Sequence, residues 1–217
     1  MNKEILIICR GGGDLATGIV HRLFRAGYQV LILETAEPAA IRRQVSFCEA
    51  VYEGTATVEG VTAERIYTAK KQAVEEVLQR GRIPLLVDPD GRSIEVLKPD
   101  VVVDAIIAKK NLGTYKEMAP LVIGIGPGFV AGKDVHLVVE SMRGHNLARI
   151  LETGSALANT GIPGNIGGYT KERVIHAAAE GYMKNLHQIG DVVRKGEEIA
   201  RIYEQMSPEG VFSGRFV

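Results

Sequence analysis

"IICRGGGDLATG" (residues 7–18) sets three consecutive glycines between an apolar run and the opening of a helix. The run Ile5–Cys9 has no polar face, as expected of a strand covered on both sides in a parallel sheet. Beyond the glycines, Leu15, Ile19, Leu23 and Ala26 recur at helical spacing. His21, Arg22 and Arg25 fall mostly on the opposite side, and Gly27 supplies a C-terminal stop. "YQVLILE" (28–34) is then a second buried strand that ends in an acid. Strand, glycine turn, helix and strand together match the length of a βαβ unit, about 30 residues, with its right-handed crossover. The glycines either cradle a phosphate or turn a cramped corner, and the rest of the chain bears on that choice.

Further along, Thr68 is placed to cap a helix over 69–80, with Val74, Val77 and Leu78 as its apolar stripe and Gly81 after it. "IPLLVDPDG" (83–91), "PDVVVDAIIA" (99–108), "PLVIGIGPG" (120–128) and "DVHLVVES" (134–141) are further strand candidates bounded by Pro, Gly and charge. About six core strands, alternating in part with helices, predict an α/β fold with a Rossmann-like, doubly wound parallel sheet. Residues 50–67 read as either a hairpin or a loop. The glycine-rich stretch 153–170 marks a boundary, giving a large domain over 1–168 and a small one over 169–217.

The small domain admits two readings. Lys171–Glu180 is alanine-rich and suits a helix capped by Thr170. Alternatively, Val174–Ala178, Tyr182–Leu186 and Glu198–Tyr203 are strands separated by turns at Glu180-Gly181 and Gly190-Asp191. "IGDVVRKGEEIARI" (189–202) favours the second, because it resembles the G-D-x-V-x-x-G-x-x-I half-motif of biotinyl and lipoyl domains and other barrel-sandwich hybrids. "AAAEGYMKN" (177–185) and "SPEGVFSGRFV" (207–217) are the matching glycine turns. The modified lysine of those domains has no counterpart, so biotin or lipoate attachment is not expected. A strand interrupted at Val217 implies a module completed elsewhere or a longer natural protein.

Composition narrows the partners. Lys plus Arg (26) balance Asp plus Glu (26) in 217 residues, so no basic field draws nucleic acid or an anionic membrane. Cys9 and Cys48 are the only cysteines, too few for a disulfide framework, which points to the cytoplasm. Ile5–Cys9 is too short for a signal peptide, and the uncharged stretch 118–132 is broken by Pro120 and Pro127. Small molecules and proteins are the expected partners, with a homodimer as the commonest assembly.

Gly11-x-Gly13-x-x-Ala16 fits G-x-G-x-x-G/A in its proper context, after a buried strand and at the start of a helix. Gly11 and Gly12 permit the tight turn, Gly13 lets a pyrophosphate reach the backbone, and Ala16 lets helix and strand pack closely. The helix N-terminus adds free N–H groups and partial positive charge. Glu34, 18 residues beyond Ala16, is placed to accept hydrogen bonds from a ribose diol. Asp14 would repel a pyrophosphate but suits a helix cap. Arg42 and Arg43 suit either a 2′-phosphate or an exposed basic pair, and Glu34 favours NAD over NADP. The competing reading is a corner that holds no nucleotide.

Other candidates follow later strands. Asp104 lies within an apolar strand, and Lys109 and Lys110 follow that strand's end as possible anion ligands or as a solvated pair. Gly126 and Gly128 in "GIGPGFVAGKD" (124–134) suit a backbone anion nest or a structural turn. "ESMRGHN" (140–146) gathers Glu140, Arg143 and His145, where the arginine can clamp an anion and the histidine can act as acid or base. His21, His136, His176 and His187 show no metal spacing. Cys9 reads as a small buried apolar residue.

"RGGGDLATGIVHRLFRAGYQVLILE" (10–34), "IRRQVSFCEAVYEG" (41–54), "GIGPGFVAGKDVHLVVES" (124–141), "RGHN" (143–146) and "NTGIPGNIGGYT" (159–170) together resemble the YqeB family of selenium-dependent molybdenum hydroxylase system proteins. The resemblance implies a cytoplasmic accessory factor for hydroxylases carrying labile selenium, and a chain longer than this one. It adds weight to Gly11, Gly13, Asp14, Gly126, Gly128, Arg143, Gly144 and His145 without assigning any of them a role. Three functions stay open. The first is an accessory protein binding NAD, a related dinucleotide or a molybdopterin-type phosphate, with the β module docking a maturation partner or covering the site. The second is an NAD-dependent oxidoreductase with His145 or Lys109 as proton donor, and the third is a scaffold that binds no nucleotide.

Overall fold

The computed structural model describes residues 5–159, 161, 167–169 and 174–203. The chain divides into two compact units, Met1–Asn159 and Thr160–Val217.

The first unit is built on a nine-stranded sheet. The initial apolar run forms β1 (Leu6–Arg10), the glycine turn leads into α1 (Asp14–Arg25), and β2 (Gln29–Glu34) lies beside β1 in parallel. The undecided stretch after β2 resolves into a short helix α2 (Ala50–Glu53) and an antiparallel hairpin, β3 (Thr55–Val58) and β4 (Val61–Ile66). The hairpin turns at Glu59 and Gly60, both with positive φ, as a two-residue turn of the primed kind demands. Then come α3 (Lys71–Gln79), β5 (Ile83–Val87), α4 (Ser93–Leu97), β6 (Val101–Asp104), β7 (Leu121–Ile125), β8 (Leu137–Val139) and β9 (Ile150–Leu151).

The spatial order is β3-β4-β5-β2-β1-β6-β7-β8-β9, parallel from β4 to β8 with an antiparallel strand at each edge. Numbered by sequence, β5-β2-β1-β6-β7-β8 has the order 3-2-1-4-5-6 of doubly wound dinucleotide-binding sheets. The direction in which successive strands are added across the sheet reverses between β1 and β6, so the C-terminal ends of these two parallel strands flank the switch point.

Successive strand residues feed two cores. Ile7, Cys9, Val30 and Ile32 pack with Ala16 and Val20 of α1 and Ala50 and Val51 of α2. Ile8, Leu31 and Leu33 pack on the other face with Val74 and Val77 of α3 and Ile94 of α4. Burial of each such Leu, Ile or Val contributes about 1.5–3 kcal/mol.

Several expectations are corrected. Ile19 and Leu23 of the expected stripe pack against the core, but Leu15 is 51% exposed and the fully buried residues of α1 are Ala16, Thr17 and Val20. The stripe assumed contact through the first residue, whereas the small Ala16 lets the helix start close against the sheet. Helix α3 begins at Lys71 after an Lys70 cap, and the Thr68 hydroxyl only accepts the Lys70 N–H at 3.4 Å. Beyond β6 the strands are joined through loops and a 3₁₀ turn, Lys116–Met118, in place of crossover helices. Phe129, Ala131 and Val135 of the β7–β8 loop cover that part of the sheet.

Among its described residues the second unit contains an antiparallel pair, β10 (Tyr182–Asn185) and β11 (Ala200–Tyr203), which is the part of the expected β module that they include. Residues 174–177 carry no regular structure, so neither the helix nor the strand read across them is present. Turns at 188–191 and 194–197 are closed by Asp191 and Glu197, each accepting a backbone N–H at 2.7 Å. His187 bridges the two acids, with Nδ1 3.6 Å from Asp191 and Nε2 3.3 Å from Glu197. The glycine turn read in 207–217 lies outside the described residues. Among the described residues no helix is long and apolar enough to cross a membrane.

Candidate functional site

A parallel sheet sends all its C-terminal ends to one edge, and the candidate residues of the first unit follow those ends. Gly11–Gly13 follow β1, Glu34 ends β2, Lys109 lies beyond β6, Gly126 and Gly128 follow β7, and Arg143 and His145 lie between β8 and β9. The first and last of these groups are three strand spacings apart, roughly 14 Å. In open α/β sheets this edge is where ligands bind.

The glycine turn is fastened at its middle residue. The Gly12 N–H donates to Glu34 Oε2 at 2.7 Å. Its carbonyl accepts the Cys48 N–H at 2.8 Å and the Thr17 hydroxyl at 3.1 Å. Thr17 Oγ1 in turn accepts the Phe47 N–H at 2.8 Å. Glu34 therefore serves the protein's own backbone, with its other oxygen accepting the Thr35 N–H at 2.7 Å. Burial raises the Glu34 carboxyl above the ordinary glutamate range, and its two N–H partners oppose that shift.

The three glycines have different reasons. Gly11, at φ +100°, lies so close to the start of the β6–β7 loop that a Cβ would stand 3.0 Å from the Ala105 carbonyl and the Ile106 backbone. At Gly12 a Cβ would meet the Cys48 N–H at 3.1 Å and Ile32 at 3.2 Å. Gly13 has an ordinary extended conformation, φ −65° and ψ 179°, and nothing lies within 4 Å of where its Cβ would be. It is the N-cap of α1 and offers the first N–H groups of that helix no side-chain cap of its own.

Asp14 is the first helical residue and not the cap. Its carboxylate accepts the Leu15 N–H at 2.9 Å and forms an ion pair with Arg42. Ala16 is 1% exposed, consistent with close packing of helix on strand. Cys9 and Cys48 are buried beneath the turn. Desolvation pushes the Cys9 thiol far up and Cys48 up to about 12, so neither is a ready thiolate.

Gly126 and Gly128 serve close packing. A Cβ at Gly126 would stand 2.5 Å from the Ser141 hydroxyl, and one at Gly128, where φ is +114°, would stand 2.8 Å from the Lys110 backbone. Glu140 is 4% exposed and its oxygens accept the Met142 and Leu157 N–H groups at 2.7 and 2.8 Å. It is thus the anchor of the loop that carries Arg143 and His145, both of which are exposed. Lys109 and Lys110 are exposed in the β6–β7 loop, with Lys109 at φ +63°.

The sequence reading passed over Thr17 and Arg10. A threonine three residues past the helix start has no distinctive signal, while Arg10, a charge immediately after five apolar residues, is the visible anomaly. Among the described residues no group of three His, Cys, Asp or Glu side chains is placed to hold a metal. A cleft of about 400 Å³, lined in part by Phe24, Gly27, Tyr28 and Gln79, lies at the opposite, N-terminal edge of the sheet.

Over 199 residues the chain is 49% identical to the Escherichia coli (strain K12) protein named "Uncharacterized protein YqeB", an alignment that covers 92% of this chain and 36% of that relative. The chain thus spans about a third of the relative's length. No protein-family model matches the chain, and no solved structure matches it.

The unequal surroundings of the glycines predict unequal costs. Gly11→Ala and Gly128→Ala each lower stability by about 1–3 kcal/mol, from strain at positive φ and backbone overlap. Gly13→Ser stays within about 0.5 kcal/mol of the parent, because serine is a good N-cap. Urea unfolding of the three variants measures the difference.

Proposed function

The chain belongs to the YqeB family, and from that premise we propose that its first unit binds a dinucleotide, NAD foremost, or a similar phosphate-bearing cofactor at the C-terminal edge of the sheet. Gly13 is the observation that carries this reading. Packing explains Gly11 and Gly12, but the fold has room for a side chain at Gly13 and asks for no unusual φ there. A glycine at that position keeps the approach to the N-terminus of a 12-residue helix clear, which a phosphate requires. The 3-2-1-4-5-6 strand order supports the same placement. Glu34 fixes the glycine turn on the ribose side of such a ligand by holding the Gly12 N–H, and Gly126, Gly128, Arg143 and His145 stand toward its other half.

The biological role we propose is that of a cytoplasmic accessory factor in the maturation of selenium-dependent molybdenum hydroxylases, acting as a homodimer. The stretches quoted above support it through their resemblance to that system. The second unit docks a hydroxylase or another maturation protein, a role suited to Val192 and Val193, which are 96% and 44% exposed in its glycine-bounded turn.

Two other readings each have one observation in their favour. The exposed His145, on the same edge as the glycine turn, suits an NAD-dependent oxidoreductase in which it or Lys109 donates a proton. The Glu34 carboxylate, already bonded to Gly12 and Thr35, suits a scaffold in which the glycines only turn a corner.

Calorimetric titration with NAD, NADH, NADP, ATP and CTP, on the parent and on Gly13→Val, separates the three. We expect a dinucleotide to bind the parent and to lose at least about tenfold in affinity in Gly13→Val, roughly 1.4 kcal/mol. Turnover of the bound nicotinamide that His145→Ala abolishes would establish the oxidoreductase, and a folded parent that binds none of the five would leave the scaffold. For the accessory role, a selenium-dependent hydroxylase purified from cells lacking this protein is expected to carry less selenium by elemental mass spectrometry. Unchanged content would remove that role.

A further inference from the structure

Arg10 is the largest of the fully buried side chains, at 2% exposure, and it lies one residue before the glycine turn. Its Nη1 donates to Thr114 Oγ1 and lies 3.5 Å from Asp104 Oδ2. Its Nη2 donates to the Pro89 carbonyl at 3.0 Å and the Leu112 carbonyl at 3.2 Å. Thr114 Oγ1 donates to Asp104 Oδ2 at 2.5 Å, while Asp104 Oδ1 accepts the Ile106 N–H at 3.2 Å. Asn111 closes the loop on itself, with its side chain bonded to both the N–H and the carbonyl of Thr114 at 2.7 Å. A planar guanidinium, with its donors in a fixed fork, thereby ties the end of β1 to the segments that follow β5 and β6.

The segment it holds, 105–114, is strained. Ile107 has φ +58° and Lys109 φ +63°. A β-branched residue in the left-handed region is an outlier that persists only when its surroundings enforce it. The same segment is the surface that Gly11 and Gly128 approach, at Ala105–Ile106 and at Lys110 respectively. It is therefore wedged between the two glycine turns of the candidate site, and the guanidinium grips its far end.

We propose that Arg10 is the positioning residue of this site: it holds segment 105–114 in the strained form against which the Gly11 and Gly128 turns are set. The ligand half of the inference rests on the nucleotide reading above, and the segment-holding half does not. If Arg10 lets go, Ile107 relaxes toward negative φ and the two turns lose their common wall, so a phosphate-bearing ligand meets a disordered edge.

The test is amide hydrogen exchange by mass spectrometry on the parent, Arg10→Lys and Thr114→Val, with calorimetric NAD titration of all three. Lysine keeps the charge and loses the fork, whereas Thr114→Val leaves Arg10 in place and removes one bridge, so it serves if Arg10→Lys does not fold. We expect exchange over 105–114 to rise about tenfold or more while β1 and β2 stay protected, and NAD affinity to fall by a similar factor. Unchanged exchange over 105–114 overturns the proposal. Faster exchange with undiminished NAD affinity reduces Arg10 to packing and overturns its positioning role. A parent that binds no NAD removes the ligand half with the nucleotide reading, and the exchange data then decide the segment-holding half alone.

Discussion

The peptide group of Gly12 is the point on which this edge of the molecule depends. Its N–H is held by Glu34 at the end of β2, and its carbonyl by Thr17 of α1 and by the Cys48 N–H. Each bond contributes about 1 kcal/mol net, but leaving a buried partner unpaired costs more, roughly 1–3 kcal/mol. The three bonds therefore stand or fall together, and they join the ends of β1 and β2, the start of α1 and the segment before α2. The turn is rigid before any ligand arrives, the condition under which a backbone can bind an anion without first having to order itself. Glu34 is turned inward by these bonds, its two oxygens met by the Gly12 and Thr35 N–H groups.

Arg10 extends the same logic to the other side of the switch point. The glycine turn is fixed from β2 and α1, whereas the β6–β7 loop is fixed by the guanidinium and by contact with Gly11 and Gly128. Burying a guanidinium is costly unless its donors are satisfied, and here a carboxylate, a hydroxyl and two carbonyls meet them. The strain at Ile107 and Lys109 is then a local cost offset by the surrounding contacts.

Much of the sheet was legible in the sequence, because a strand covered on both faces is apolar over most of its length: "ILIIC", "VLIL" and "VVV" leave little alternative. The glycine turn was legible for the same local reason. What escaped were features that arise only when distant segments meet. Residues 55–66 lack a continuous apolar run because the hairpin lies at the sheet's edge, with Thr55 and Thr57 exposed. The missing helices between β6 and β8 could not be foreseen either, since loop residues such as Phe129 do their covering. Asp14 suits a cap by its type and does accept the Leu15 N–H, but the N-cap position is Gly13, and the acid's ion-pair partner is Arg42, 28 residues away. Gly126 and Gly128 suit an anion nest or a structural turn by sequence, and only their neighbours, Ser141 and Lys110, reveal the packing that demands them.

The nucleotide-binding proposal has a phosphate meet the N-terminus of α1 behind Gly13. Amide chemical-shift mapping of the ¹⁵N-labelled protein during titration with NAD addresses it directly. A dinucleotide bound there gives saturable shifts at Gly12, Gly13, Asp14 and Leu15, accompanied by shifts near Gly128, with Gly27 and Gln79 at the opposite edge unmoved. No shifts at saturating NAD, or shifts confined to the cleft around Phe24, Gly27 and Gln79, would contradict it.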